Sequence, residues 1–273
     1  MNLSLLKKLL HGSIVPLVVL VLWQLLSAGG LINSQILPSP LAVLHKWIAY
    51  LAPAEAYTPQ LGSYARWLVS GELLHDTYSS ISRVLGGFLI GGSLALPLGL
   101  LMGANQTIYK LFNPLLQVLR PIPPIAYIPL SILWFGLGNP PALFLISIGA
   151  FFPILMNTIA GVRQVDGIYI RAARNLGASQ MTMFRRVILP AATPYILTGA
   201  RIAMGTAFIV VIVAEMIAVN DGLGFRILEA REYLWSDKII AGMLTIGMCG
   251  LAIDMAMSAL NNHLLSWHRG LEH

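Results

Sequence analysis

Hydrophobic residues in this chain come in long blocks that are separated by shorter polar segments. A helix needs about 20 mostly apolar residues to cross the hydrocarbon core of a bilayer, and six blocks approach that length. They predict membrane-spanning helices at approximately 14–30, 81–103, 115–135, 141–161, 195–218 and 239–260. The expected fold class is an all-α membrane protein in which residues 1–273 form a single transmembrane domain.

The third predicted span is interrupted by four prolines, namely Pro121, Pro123, Pro124 and Pro129. Proline inside a span is tolerated where neighbouring groups or water satisfy the freed backbone groups. We therefore expect one bent helix in this region. A bend that borders a transport pathway and a bend that only serves packing are both compatible with the sequence.

Composition agrees with a membrane protein, since 57% of the residues are hydrophobic and 10% are charged. Lysine and arginine favour the cytoplasmic side of a membrane. With both termini in the cytoplasm, the inner segments hold ten Lys and Arg against two Asp and Glu, and the outer segments hold six against seven. This orientation places the 162–194 loop in the cytoplasm. The asymmetry and contact with anionic headgroups explain the net charge of +6, so we predict no nucleic-acid partner.

The 162–194 loop has signals for two short helices and a tight turn. Asp166 can cap a helix that begins at Gly167, and Gly177 suits the left-handed position that closes a helix. Ser179 can cap a second helix over 180–189, which we expect to end at Pro190 because proline interrupts helices. A DNA-binding helix-turn-helix is disfavoured, because the loop lies between two predicted spans and has no soluble domain around it. Two interpretations of the loop remain. A simple connector between spans would explain its arginines, whereas an element that docks onto a partner would also explain its alanines and glycine.

The loop resembles the EAA loop of permease subunits of ATP-binding-cassette (ABC) importers. That pattern reads Glu-Ala-Ala, three residues, Gly, nine residues, then Ile-x-Leu-Pro. The positions that this chain keeps are Ala172, Ala173, Gly177, Leu189 and Pro190. Arg171 stands in place of the glutamate and Val187 in place of the isoleucine, and the first change argues against the usual charge pairing at that position.

The resemblance covers nearly the whole chain and points to the nitrate, sulfonate, taurine and bicarbonate branch of these permeases. It rests on the segments 119–129, 134–138, 172–178, 197–202 and 222–225. Pro-Pro-Ile-Ala-Tyr at 123–127 and Trp-Phe-Gly-Leu-Gly at 134–138 are most similar to taurine and aliphatic-sulfonate members.

The resemblance implies a type I ABC importer permease fold and a set of partners. These are a second permease subunit, which is expected to be a copy of this chain with a paralogue as the alternative, two cytoplasmic ATPase subunits and an extracytoplasmic substrate-binding protein. The six loop residues Arg171, Ala172, Ala173, Gly177, Leu189 and Pro190 would couple the permease to the ATPase. The chain has no GxxxxGK[ST] phosphate-binding loop, so we expect a non-enzymatic subunit without a cofactor, whose partner binds ATP.

Two further groups of residues are candidates for function. Asp221, Gly222, Leu223 and Gly224 lie in a predicted outer loop, which either receives the binding protein or anchors the domain at the interface. The charges within or near spans are Arg120, Arg201, Glu215 and Asp254. Such charges are costly in a membrane. They either attract an anion or form internal ion pairs.

A pair between Arg201 and Glu215 within one helix is excluded, because 14 residues of helix separate them by about 21 Å. Other function classes are less consistent with the sequence. A secondary transporter would show internal repeats, and an intramembrane protease would show a catalytic motif; neither feature is evident. No histidine spacing indicates a metal site. Nitrate, bicarbonate or another small substrate stays open beside taurine and alkanesulfonates.

Overall fold

The computed structural model describes residues 3–29, 32–53, 64, 67 and 70–265. Throughout this part of the chain the regular structure is helical. The α-helices are α1 Leu3–Ala28, α2 Pro40–Leu51, α3 Glu72–Ala104, α4 Gln106–Leu119, α5 Ile128–Phe135, α6 Asn139–Arg163, α7 Gly167–Asn175, α8 Gln180–Met183, α9 Leu189–Ala218, α10 Leu223–Glu232 and α11 Ser236–Leu264. A 3₁₀ turn at Pro124–Tyr127 precedes α5, and a π turn at Phe184–Ile188 precedes α9.

Four of the predicted spans coincide with helices that are long and apolar enough to cross a membrane. These helices are Glu72–Ala104, Asn139–Arg163, Gln180–Ala218 and Ser236–Leu264. The first predicted span corresponds to a shorter apolar helix, Ser13–Ala28, and residue 30, the last of that prediction, lies outside the described residues.

The predicted span at 115–135 bends sharply at its prolines, as expected, and the bend is a complete break between two helical segments. The region consists of two helical segments, Gln106–Leu119 and Pro124–Phe135, that meet at 82°. The break falls where Pro121, Pro123 and Pro124 follow each other closely. Proline lacks a backbone N–H and disfavours helical geometry in the residue before it, and Pro123 is accordingly extended, with φ −66° and ψ 143°. Three prolines in four positions therefore separate the segments instead of bending a single helix.

The chain divides into two compact units. One comprises residues 1–77 and 226–246, and the other comprises 78–225 and 247–273. This division does not test the prediction of a single transmembrane domain. In the first unit, the Trp23 indole donates to the carbonyl of Pro38 at 3.0 Å, and the Trp47 indole donates to the Thr245 hydroxyl at 2.9 Å.

The core of the second unit is built by close packing of α6 against α3 and α9. Glycines on α3 lie directly against α6: a Cβ on Gly87 would approach the Cβ of Ile146 to 2.5 Å, and a Cβ on Gly99 would approach that of Thr158 to 2.7 Å. Gly199 on α9 is similarly close to Asn157. Small residues allow helices in a membrane to approach closely and gain van der Waals contact, so this glycine pattern fixes the helix spacing.

Two neighbouring glycines on α3 test this packing. We expect Gly91→Ala to lower stability by about 1–3 kcal/mol, as overpacking does, because its Cβ would collide with the carbonyl oxygen of Ser147. Gly92→Ala is the matched control, since its Cβ would meet only the terminal methyl group of Ile154, at 3.3 Å. Thermal unfolding of the purified proteins in detergent compares the two; equal melting temperatures would contradict the packing argument.

Candidate functional site

The loop between α6 and α9 has the local geometry that its sequence predicts. Asp166 caps α7, because its Oδ1 accepts from the backbone N–H of Ile168 at 2.9 Å. Gly177 closes α7 with φ +77°, while its N–H donates to Arg174 and the N–H of Ala178 donates to Ala173. This pair of hydrogen bonds defines a Schellman motif, which requires a left-handed residue at position 177.

The prediction that a second loop helix ends at Pro190 is wrong. Ser179 caps α8 by accepting from Thr182 at 3.2 Å, but the helix then continues from Gln180 to Ala218. At residues 184–188 it widens into a π turn, in which the N–H of Leu189 donates to Phe184. Proline crowds the carbonyl four residues before it and has no N–H to donate. The wider turn before Pro190 accommodates both effects without ending the helix.

The loop exposes much of the segment that resembles the EAA loop. Arg171, Ala172 and Gly177 are exposed, whereas Ala173 is half-buried. Leu189 and Pro190 are also half-buried and belong to the first turn of α9. The exposed residues of the predicted coupling set therefore lie on α7 and its closing turn.

Glu215 on α9 is fully buried and is surrounded by donors. Its Oε1 accepts from Arg83 Nη1 at 2.7 Å. Its Oε2 accepts from the Ser80 hydroxyl at 2.8 Å and from the backbone N–H of Gly224 at 2.9 Å. A buried charge requires such pairing, because an unpaired ion is strongly unfavourable in an apolar interior.

Arg83 is a residue whose role the sequence analysis missed. It lies near the start of the predicted span 81–103 and is one of the six Lys and Arg residues that the predicted orientation assigns to the outer segments. The structure buries it, and it donates to Glu215, to the side chain and carbonyl of Asp221, and to Asn139 Oδ1 at 2.7 Å. The signal that could have found it is Glu215 itself, since a carboxylate within an apolar span demands a cation from a neighbouring helix.

The outer-loop candidates are mostly part of this cluster. Gly222, Leu223 and Gly224 are buried, and the Asp221 side chain, 34% exposed, pairs with Arg83. Gly222 has φ +103°, and a Cβ there would lie 2.5 Å from Glu215 Oε1. The need to satisfy Glu215 explains why these residues face the interior. Of the four, only Asp221 keeps a partly exposed side chain for contact with another protein.

Arg201 and Asp254 form an ion pair with two hydrogen bonds. Arg201 Nε donates to one carboxylate oxygen at 2.9 Å and Nη2 donates to the other at 2.8 Å. Unlike the cluster around Glu215, the two side chains are 45% and 54% exposed. The pair thus joins α9 to α11 on a surface of this chain.

Arg120 lies at the break between α4 and α5 and borders a cavity of about 350 Å³. The cavity is lined by Arg120, Ile122, Pro123, Pro124, Ile148, Gly149, Phe152, Pro153, Met156, Asn157, Ile202 and Thr206. Apart from Arg120, the lining is mostly apolar with an amide and a hydroxyl. Within the part of the chain that the structure describes, no ion pair includes Arg120. A cavity of this size and composition is typical of small-molecule sites.

A second ionic cluster lies in the other unit and consists of residues that the sequence analysis treated only as outer charges. Arg226 Nε donates to the buried Asp76 at 2.8 Å, and Arg226 Nη1 donates to Glu229 at 2.9 Å. The Tyr50 hydroxyl also donates to Asp76, at 2.9 Å. Burial and the adjacent Asp76 carboxylate raise the pKa of Tyr50, so the phenol stays protonated and retains this bond.

The arrangement of long apolar helices is that of a known transporter subunit. A subunit of the inward-facing MetNI methionine ABC transporter superimposes with a TM-score of 0.61 and 19% identity, covering 68% of this chain and 93% of that chain. The fold is therefore the ABC importer permease fold, as the sequence predicts.

Sequence comparison assigns the chain to a protein family. Residues 95–269 match the model of the binding-protein-dependent transport system inner membrane component, and the chain belongs to this family. A putative ABC transporter permease of Methanocaldococcus jannaschii is 40% identical over 96% of this chain and 94% of its own length. The taurine transport system permease of Escherichia coli is 33% identical over 92% of this chain and 87% of its own length. The bicarbonate transport system permease of Synechococcus elongatus is 34% identical over 94% of this chain and 91% of its own length.

Family membership establishes the broad function of the chain. It is a membrane-embedded permease subunit of an ABC importer and is not an enzyme. Such permeases act with ATPase and substrate-binding partners. The secondary-transporter and protease alternatives are therefore wrong.

The buried serine of the Glu215 cluster gives a direct test of its stabilising role. Ser80 donates to Glu215 and accepts from the N–H of Leu223 at 2.9 Å. We expect Ser80→Ala to cost about 1–3 kcal/mol, because it leaves a buried donor and a buried charge less satisfied. Ser82→Ala is the control, because Ser82 is exposed and bonds only the carbonyl of Ser79. Thermal unfolding in detergent should separate the two variants; equal melting temperatures would argue against the cluster.

Proposed function

We propose that this chain pairs with a second copy of itself to form the membrane pathway of an importer for a small anion, with taurine or an alkanesulfonate as the substrate. Two cytoplasmic ATPase subunits drive this pair, and an extracytoplasmic binding protein delivers the anion. Both termini face the cytoplasm. Nitrate, bicarbonate or another small substrate is the alternative, and bicarbonate is supported by a permease that is 34% identical to this chain, against 33% for the taurine permease.

The proposal of an anionic substrate rests on the cavity at Arg120. Its guanidinium has no carboxylate partner among the described residues, and the walls otherwise offer an apolar surface with Asn157 and Thr206. A cation in such a setting favours an anionic occupant. Arginine also suits a planar or tetrahedral oxyanion, because its fixed N–H fork donates two parallel hydrogen bonds.

The observation that favours a second membrane subunit is the exposure of the Arg201–Asp254 pair. Both residues lie on helices of membrane-spanning length, and ionised groups facing lipid are costly. A second copy packed on this face, or a water-filled pathway between the copies, removes that cost. In this arrangement Arg201 is a further positive charge along the route of the anion, with Asp254 limiting how tightly the anion binds.

Coupling to the ATPase is assigned to α7 and its closing turn. The exposed residues Arg171, Ala172 and Gly177 occupy this element, and α7 is followed directly by the helix Gln180–Ala218. A displacement of α7 by the ATPase therefore acts at the end of a helix that continues through the membrane domain. Alternation between two arrangements of such a domain is a rigid-body transition.

Uptake measurements test the substrate and the role of Arg120 together. In cells that lack this gene, we expect plasmid-borne wild-type protein to restore uptake of labelled taurine, with alkanesulfonates as competitors and nitrate and bicarbonate without effect. Arg120→Gln should lower uptake at least about tenfold, because it removes a charge-assisted contact. Lys110→Gln, which removes an exposed cation from α4, should transport like the wild type.

Two outcomes would contradict parts of the proposal. Restored nitrate or bicarbonate uptake without taurine uptake would overturn the sulfonate choice and keep the permease function. Equal taurine uptake by the Arg120→Gln and wild-type proteins would overturn the role of the cavity.

Substitution at Gly177 tests the coupling assignment. We expect Gly177→Val to reduce ATP-driven uptake strongly, because a β-branched residue at φ +77° is strained. Gly177→Asn is the matched variant, since asparagine adopts left-handed geometry more readily, and it should keep most of the activity. Uptake and co-purification of the ATPase are measured for both. Full assembly and uptake with valine would show that the turn has no coupling role.

A further inference from the structure

The solvent-facing side of α7 divides into two strips along the helix. At 100° per residue, Ile168, Tyr169, Ala172 and Leu176 fall within one arc of about 100°, and Arg171 and Arg174 lie about 60° and 120° beyond the Ile168 edge of that arc. All six are exposed, including Ile168 at 56%, Tyr169 at 62% and Leu176 at 87%. The remaining side of α7 carries the half-buried Ile170 and Ala173. The exposed face therefore consists of an apolar strip and a basic edge.

The positive charge of the basic edge is not balanced within the described residues. No ion pair there includes Arg171 or Arg174. The nearby carboxylate of Asp166 already accepts from the backbone of α7 as its cap. Arg174 gains from the negative C-terminal end of the helix. Arg171 has no such gain, because its Nη1 lies 3.2 Å from where a Cβ on Gly167 would be, at the positive N-terminal end.

Arg171 is thus held where its own helix disfavours it and where no acidic group of the described chain compensates. An exposed arginine in this setting is best satisfied by a carboxylate from another molecule. The apolar strip is best covered by the same molecule, because Arg171 borders that strip at Ile168.

We propose that the ATPase groove that receives α7 has an apolar floor and a rim with at least one Asp or Glu facing Arg171, on the side of the helix that also carries Arg174. The floor covers the strip of Ile168, Tyr169, Ala172 and Leu176. This inference rests on the proposed coupling role of α7 and adds the chemistry of the partner surface. Charge complementarity of this kind selects the correct partner, because like charges at the same place repel each other. An ATPase whose rim is basic would be rejected.

Charge reversal in the assembled transporter tests the proposal. The permease carrying Arg171→Glu and Arg174→Glu is co-expressed with its ATPase subunits, and the amount of ATPase retained on the purified permease is measured over a range of salt concentrations. We expect retention to fall at least about tenfold, and wild-type retention to weaken as salt rises. Both arginines are exposed and without internal ion-pair partners in the described chain, so the variant folds; Arg171→Gln with Arg174→Gln gives a milder form of the same test.

The matched control reverses the same charge elsewhere in the loop. Arg185→Glu with Arg186→Glu changes two exposed arginines of the π turn and should retain the ATPase. Equal loss of ATPase retention in both double variants would overturn the proposal, because it would indicate a general effect of the loop's charge. Loss of binding to vesicles containing anionic phospholipid, with ATPase retention unchanged, would also overturn it and assign the basic edge to lipid headgroups.

A screen for restored ATPase binding identifies the ATPase residues that form the rim. In the Arg171→Glu, Arg174→Glu background, single Asp→Lys and Glu→Lys substitutions on the ATPase surface are screened for restored retention, and we expect rescue at one or two neighbouring positions. If charge reversal at Arg171 and Arg174 leaves ATPase retention unchanged while Gly177→Val still uncouples transport, the proposal of an acidic rim is wrong and the coupling role of α7 stands. If neither change has an effect, both the rim and the coupling role are wrong.

Discussion

The buried carboxylate of Glu215 imposes the strictest electrostatic requirement on the membrane domain. An ionised group without partners is very costly in an apolar interior, and here the groups that satisfy it come from separate places in the chain. Ser80 and Arg83 come from α3, the N–H of Gly224 comes from α10, and Arg83 is itself held by Asn139 at the start of α6. Helix α9 therefore cannot shift along α3 without breaking this shell. Gly222 must stay without a side chain because a Cβ would occupy the space of the carboxylate.

Features that depend on local sequence could be predicted well. The helix starts at Asp166 and Ser179 and the left-handed Gly177 follow from neighbouring backbone groups, and the long apolar helices follow from their composition. The sequence was least informative at the prolines, because it does not show whether a proline separates two helices or is accommodated within one. Three closely spaced prolines broke the helix at 120–123, whereas Pro190 was absorbed by a wider turn. Which of these happens depends on whether adjacent turns can relax, and that depends on packing.

Side-chain partners could be predicted only in part. The sequence excluded a pair between Arg201 and Glu215 and required partners on other helices, but it did not identify Arg83 as the partner of Glu215. The pairing with Arg83 depends on how α3 lies along α9, which is set by glycines such as Gly87 and Gly99 packing on α6. The placement of charges also separates two kinds of residue. Glu215 and Asp76 are satisfied within the chain, whereas Arg120, Arg171 and Arg174 have no ion-pair partner in its described part and mark where other molecules are expected to bind.

The uninterrupted helix from Gln180 to Ala218 has a mechanical consequence. Its 39 residues make a rod of about 58 Å at 1.5 Å per residue. One end adjoins the exposed loop, and the other end, at Glu215, is held on several sides by the buried ionic shell. Because α9 packs along α6, the rod does not swing alone, and a rotation that keeps the ionic shell intact carries α6 and α3 with it. A rotation of this packed body by about 10° around the end at Glu215 would move the loop end by roughly 10 Å, so a small turn at the charged end and a large displacement of the loop would be the same motion.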